Sequence, residues 1–373
     1  MRTIPREDTT TFSSIFPALS IRVIFSVVTS FVLAVAIGPR VIDNLLRRQI
    51  GQTIREEGVQ EHKKKAGIPT MGGIIFLIPI VITTLAYTKF NVYVFIALFL
   101  TLGMGLLGLL DDLTKVIKAR SLGLTPRQKL FGQVAFALIA ALVLRYYFDD
   151  RLELPVLDGV GSLFLPPGFI HVPFFGAANL QFMYIPFLVV VIVGATNAVN
   201  LTDGLDGLAA GTVSVAIIPF MVIAYVIGNS IFSRHLGVAF IPGTGELAIF
   251  CAALLGGCLG FLWFNSHPAE VFMGDTGSLA LGGAISAVAV CTRTELFLLI
   301  IGGLFVSEAL SVIIQVTYFK YSHGKRIFLM SPIHHHFELA GWAEEKVVAR
   351  FWIVSLILAL AGLAIFAARL IVR

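Results

Sequence analysis

Apolar residues come along this chain in long runs, and the polar residues collect between them. About 20 apolar residues cross the hydrocarbon of a bilayer as a helix, and irregular backbone cannot face lipid there. On that measure the sequence predicts ten spans, at about 16 to 38, 71 to 89, 92 to 110, 130 to 148, 183 to 200, 208 to 228, 246 to 264, 278 to 292, 296 to 317 and 350 to 370. Pro79, Pro186 and Pro219 fall within or near the ends of spans, where a kink is tolerated if neighbours satisfy the freed carbonyl. No internal repeat is evident.

Composition makes lipid the solvent. Of 373 residues, 57% are hydrophobic and 13% charged, with a mean hydropathy of +0.91; soluble domains carry about 25% charged residues. No polar stretch is long and regular enough for a second core, so the expectation is one all-α polytopic membrane domain over residues 1–373. The net charge of +5 matters through its placement, and nucleic acid is not an expected partner. Arg40, Arg47, Arg48, Arg55, Lys63, Lys64, Lys65, Lys115, Lys118, Arg120, Arg127, Lys129, Lys320, Lys325, Arg326 and Lys346 all fall in alternate connections, against Lys89, Arg151, Arg234 and Arg293 in the others. The excess of basic residues assigns the segments 39–70, 111–129, 201–207, 265–277 and 318–349 to the cytoplasm and both termini to the outside.

The longest outside segment, 149–182, is rich in Phe, Pro and Gly and reads as a periplasmic hairpin or an amphipathic cap. Ala34-Val35-Ala36 resembles a signal-peptidase site, but the apolar run before it is too long for a signal peptide and an uncleaved first span is expected. Cys251, Cys258 and Cys291 lie in apolar runs without metal-ligand spacing and are expected to pack.

Four polar constellations fall on the face assigned to the cytoplasm. Asp111-Asp112 ends the third span, where the helix dipole disfavours negative charge; read blandly it is a solvated helix end, read functionally a metal or phosphate site. Asn200-Leu201-Thr202-Asp203-Gly204-Leu205-Asp206-Gly207 crowds carboxylates and amides onto a tight turn, and Gly274-Asp275-Thr276-Gly277-Ser278 leads into a helix whose free N–H groups favour an anion, with Asp275 placed to hold a cation. His334, His335 and His336 diverge on any helix or strand, so they suit phosphate contacts better than one shared metal. Lys63-Lys64-Lys65 precedes a Gly-rich turn at the mouth of span two, and Glu308 is set in apolar sequence where it must face the bundle interior. Carboxylates without thiolates imply a hard cation such as Mg²⁺, and the whole reads as phosphoryl transfer at the inner membrane surface.

These motifs, with Pro69-Thr70-Met71-Gly72-Gly73 and Ser331-Pro332-Ile333-His334-His335-His336-Phe337-Glu338 running on to Gly341-Trp342, resemble the polyprenyl-phosphate N-acetylhexosamine-1-phosphate transferase superfamily, and the last motif resembles its phospho-N-acetylmuramoyl-pentapeptide transferase family. That resemblance implies transfer of phospho-N-acetylmuramoyl-pentapeptide from UDP to undecaprenyl phosphate in a bacterial inner membrane, with release of UMP. It implies Mg²⁺ on Asp275, with Asp111 and Asp112 as catalytic neighbours. Lys65, Thr70, Lys115, Lys129, Asn200, Asp203, Asp206, Asn265, Phe272, His334, His335 and His336 match substrate-site positions. It also implies a homodimer and a lipid-facing groove near a bent ninth span.

Alternatives stay open at this point. Asp111 either orients the lipid phosphate or forms an aspartyl-phosphate, and UDP-N-acetylglucosamine is the competing donor within the superfamily. An ion-coupled transporter is the reading from another class, but such proteins set their sites near the midplane on broken, repeated helices.

Overall fold

The computed structural model describes residues 18–48, 67–118, 123–151, 168–173 and 176–368. In chain order the helices are α1 (Leu19–Arg47), α2 (Ile74–Tyr87), α3 (Val92–Ile117), α4 (Pro126–Arg151), α5 (Tyr184–Thr202), α6 (Leu208–Ile227), α7 (Ser230–Leu236), α8 (Glu246–Asn265), α9 (Gly274–Cys291), α10 (Leu298–Ile301), α11 (Gly303–Tyr321), α12 (Ile333–Leu339) and α13 (Glu344–Ala368). Strands β1 (Phe169–Val172) and β2 (Gly176–Asn179) pair antiparallel, Ile170 opposite Ala178, before α5. They belong to the 149–182 segment, whose residues 152–167 and 174–175 lie outside those described.

Among the described residues nine helices are long and apolar enough to cross a membrane, and α2 is a tenth, shorter apolar helix. The fold is therefore that of an all-helical polytopic membrane protein. The ten apolar runs each become helix, with differences at their ends that have local causes. Span two shortens to 14 residues because Gly72 and Gly73 donate their N–H groups to the carbonyls of Phe272 and Met273 instead of starting a helix. Span three continues past the aspartates to Ile117, since Lys115 lies one turn beyond Asp111 and pairs with it. Span nine breaks at Gly302, between α10 and α11. The first helix runs without interruption through Ala34-Val35-Ala36, and Ala34 is buried against Gly260 of α8.

Helix α9 is the axis of the bundle: every residue from Thr276 to Cys291 is buried, with α3, α5 and α6 packed around it. Small residues allow that closeness, as membrane helices associate by packing and not by hydrophobic exclusion. A methyl group on Gly108 of α3 would strike the backbone of Asp275. Helix α8 packs between α1 and α6. The large apolar side chains left exposed on α1, α4 and α13 form the outer surface. The three cysteines are free and buried, as packing residues.

Two polar contacts pin helices inside this apolar mass. Asn197 of α5 donates its amide to Gln133 Oε1 of α4 at 2.8 Å. At the end of the bundle away from Asp275, Arg22 of α1 grips Glu246 of α8 through two nitrogens at 2.8 and 2.9 Å. It also donates to the Tyr87 carbonyl that closes α2, and the Lys89 N–H reaches Glu246 Oε2 at 2.7 Å. Arg22 is 3% exposed, so its loss strands a carboxylate in apolar surroundings. Arg22→Ala is expected to cost about 3–5 kcal/mol, whereas Arg22→Met with Glu246→Leu recovers part of that loss. The unfolding midpoints of the purified, detergent-solubilised variants decide it; equal midpoints for Arg22→Ala and the parent would rule out the clamp.

Candidate active site

The site forms where the first turn of α9 meets the C-terminal ends of α3 and α5 and the N-terminal part of α4. Gly274 has φ +71° and leaves no room for a side chain between Thr70 Oγ1 and Asp112 Oδ2, so the backbone turns sharply there. Asp275 follows at the helix start. Its Oδ2 lies 3.0 Å from Lys115 Nζ and 3.0 Å from Lys129 Nζ, and its Oδ1 accepts the Asn200 amide at 2.8 Å. Asn200 donates equally to Ser278 Oγ at 2.8 Å, which fixes its amide toward the carboxylate. Asp275 and both lysines remain partly exposed, so a charged ligand can reach them.

The adjacent aspartates divide their work. Asp111 Oδ2 pairs with Lys115 at 2.7 Å while its Oδ1 accepts the Leu124 N–H at 2.8 Å, tying α3 to the approach of α4. Asp112 is 2% exposed and accepts from the Thr276 N–H at 2.9 Å, the Thr276 hydroxyl at 2.8 Å and the Asp275 N–H at 3.3 Å. It is thus the cap of α9: the anion favoured by the free N–H groups of that helix comes from the chain itself. Each of Asp111, Asp112 and Asp275 offers one carboxylate oxygen, and the three atoms lie within 4.8 Å of one another. Three carboxylates so close repel unless a cation sits among them; Lys115 Nζ does so here. The donors are all oxygen, the set that suits a hard divalent cation, so the residues fit Mg²⁺.

Behind Asn200 the chain makes the turn to α6. Asp203 is half-buried, and loss of water around it, reinforced by the negative charges of Asp275, Asp112 and Asp206, pushes its carboxyl up to about 8. Asp206 is buried, with its Oδ2 accepting from the Ala269 N–H at 3.2 Å and 3.0 Å from His267 Nδ1. Its own N–H donates to Glu344 Oε1 of α13 at 2.8 Å. Asn265 accepts the Gly207 N–H and donates to the Val271 carbonyl, stapling this turn to the α8–α9 loop. Phe272 donates its N–H to the Pro69 carbonyl, which draws Thr70 beside Gly274.

The structure therefore gathers Thr70, Asp111, Asp112, Lys115, Lys129, Asn200, Asp203, Asp206, Asn265, Phe272 and Asp275 around one centre. Lys65 lies outside the described residues. The three histidines of α12 take different partners, although the rings of His334 and His335 approach to 4.2 Å by centroid. His334 is fully buried 3.2 Å from Glu308 Oε1, His335 meets Glu338 at 2.7 Å, and His336 accepts the Leu329 N–H at 3.1 Å. Sequence reasoning passed over Ser278, His267 and Glu344, all of which hold site residues in place. For Glu344 a signal existed, an acid in the first turn of the last helix.

Comparison with known proteins identifies the family. The model of glycosyl transferase family 4 matches residues 94–293, and the phospho-N-acetylmuramoyl-pentapeptide-transferase signature 1 matches residues 65–77. The chain is similar to the phospho-N-acetylmuramoyl-pentapeptide-transferases of Desulfotalea psychrophila (46% identical), Pelobacter propionicus (49%) and Thermodesulfovibrio yellowstonii (46%), over 94% of this chain and 94% of each relative. With its helical membrane fold and this carboxylate and lysine centre, the chain belongs to the phospho-N-acetylmuramoyl-pentapeptide-transferase family.

Proposed function

We propose that this protein moves phospho-N-acetylmuramoyl-pentapeptide from UDP to undecaprenyl phosphate at the Asp275 centre, forming the first lipid-linked peptidoglycan precursor and releasing UMP. The observation that carries the assignment of the centre is the Asp275 carboxylate held at a helix start by Lys115, Lys129 and Asn200, with Asp111 and Asp112 at ligand distance. Asp275, with Asp111 beside it, would hold Mg²⁺, which when bound supplies charge neutralisation to the pyrophosphate. Asp112, committed to the α9 cap, aligns Asp275.

The lipid phosphate oxygen attacks the sugar-linked phosphorus as the bond to UMP breaks on the opposite side, and UMP leaves with that bond's electrons. A phosphate monoester has its second pKa near ~6, so at neutral pH the nucleophile is already mostly dianionic and needs no general base. Positioning and charge then carry the reaction. Lys115 and Lys129 present two ammonium groups from neighbouring helices to the phosphate oxygens. Asp111, pinned by Lys115 and Leu124, orients the incoming phosphate in a single displacement. Asp203, neutral at physiological pH, donates a hydrogen bond to an anionic substrate where a carboxylate would repel it. Lys65, His335 and His336 complete the substrate contacts.

The excess of basic residues in alternate connections supports the reading that this end of the bundle faces the cytoplasm of a bacterial inner membrane, with both termini outside and the 149–182 segment periplasmic. Lipid covers the exposed apolar faces of α1, α4 and α13. The family resemblance supports a homodimer.

Asp275→Asn leaves two ammonium groups without their common partner, and UMP release is expected to fall more than about 100-fold with loss of Mg²⁺ dependence; parental turnover in that variant refutes the assignment. Incubation with ³²P-labelled UDP-substrate alone is expected to leave the enzyme unlabelled. A phosphoryl-enzyme that forms in the parent and disappears in Asp111→Asn replaces the single displacement with a two-step route. Because the Asp203 carboxyl sits at about 8, it is neutral below that pH and ionised above it. Calorimetric binding of the UDP-substrate in EDTA should therefore weaken as pH rises through about 8, and Asp203→Asn should abolish that limb; an unchanged limb in the variant overturns the role given to Asp203.

A further inference from the structure

Glu308 has no part in the chemistry above, yet it lies wholly inside the protein on α11, with 0% exposure. A carboxylate in such surroundings is expensive unless a partner shares its charge. Its ionisable partner among the described residues is His334, equally buried, with Nδ1 3.2 Å from Oε1. Among the described residues neither oxygen of Glu308 and neither ring nitrogen of His334 has a hydrogen-bond partner, which leaves the 3.2 Å ion-pair contact between them. Each is therefore the polar environment of the other.

The far side of the same ring abuts the substrate turn. A methyl group on Gly204 would run into His334, first at Nε2, so the glycine there serves close approach, with Asp203 preceding it and Asp206 two residues on. Beneath this contact lies a small apolar cluster, distinct from the main core, that joins Leu205 and Leu208 of the turn to Leu304 of α11 and to Val347, Val348 and Phe351 of α13. Leu304 is one helical turn before Glu308, so both face the turn from α11.

We propose that Glu308 is a positioning residue for the transfer site: it fixes His334, and His334 props the 200–207 turn so that Asp203 and Asp206 meet the substrate. The inference rests on the reading that this turn binds substrate. His334 acts through Gly204, while His335, its ring tilted against that of His334 with centroids 4.2 Å apart and held by Glu338, keeps the imidazole from swinging outward. The arrangement sets geometry through charge and shape together.

The test uses the purified full-length protein, with UMP release normalised to folded enzyme and the unfolding midpoint read in parallel. Glu308→Gln keeps shape and removes charge; kcat/KM is expected to fall at least about tenfold. Glu308→Asp restores the charge over a small cavity, so kcat/KM should return to within about threefold of the parent while the midpoint stays depressed. His334→Asn combined with Glu308→Gln should be no worse than the poorer single variant, since both break one contact. Activity that tracks the midpoint across Gln and Asp, or a Glu308→Gln enzyme with more than half the parental kcat/KM, overturns the proposal. If Glu308→Gln does not fold, Gly204→Ala presses the same ring from the other side and should give the same loss; parental kinetics there overturn it equally. Asp203→Ala, which removes the donor altogether, is the separate control: unchanged kinetics in that variant sink the substrate reading of the turn itself, whatever Glu308 does.

Discussion

Three carboxylates within 4.8 Å of one another at the end of an apolar bundle are a large electrostatic liability, and the surrounding structure is arranged to contain it. Lys115 reaches all three aspartates, Lys129 reaches Asp275 from α4, and the N–H groups of α9 take up Asp112. Each of these compensations requires a helix to be in a particular place. α3 must lie close enough for Gly108 to touch the Asp275 backbone, and α5 must bring Asn200 within 2.8 Å of the carboxylate. The packing of α3, α4 and α5 around α9 and the charge balance of the centre are one requirement met twice.

Much of this was legible in the sequence because membranes simplify the code. Runs of apolar residues long enough to span could only be helices, and all ten appear as such. What the runs do not encode is where backbone hydrogen bonding passes from one partner to another. Gly72 and Gly73 look like the beginning of span two, but their N–H groups belong to residues 272 and 273, 200 positions away in the chain. The break at Gly302 is invisible in hydropathy for a similar reason, since the residues on both sides are equally apolar.

At the site, residue type and loop placement picked out residues that the fold brings near one another, whereas individual contacts were hidden. Asp111 and Asp112 are neighbours of the same type, yet side chains 100° apart on a helix face different elements, and only one of them caps α9. His334 stands in a row of three histidines and is the one removed from solvent. Asn265 carries an amide suited to ligand binding and uses both ends of it on backbone. Such assignments depend on partners distant in sequence, which a local motif does not contain.

The 200–207 turn belongs to two bodies at once. Val199 before it and Ala209 after it sit in the main core, while Leu205 and Leu208 sit in the smaller cluster with α11 and α13. A ligand gripping this turn therefore spans a seam, and linkage makes the effect reciprocal: whatever a ligand contributes to cohesion across the seam, cohesion returns as affinity. Substitutions far out on α13 that never approach such a ligand thus become a means of tuning how tightly the turn holds it.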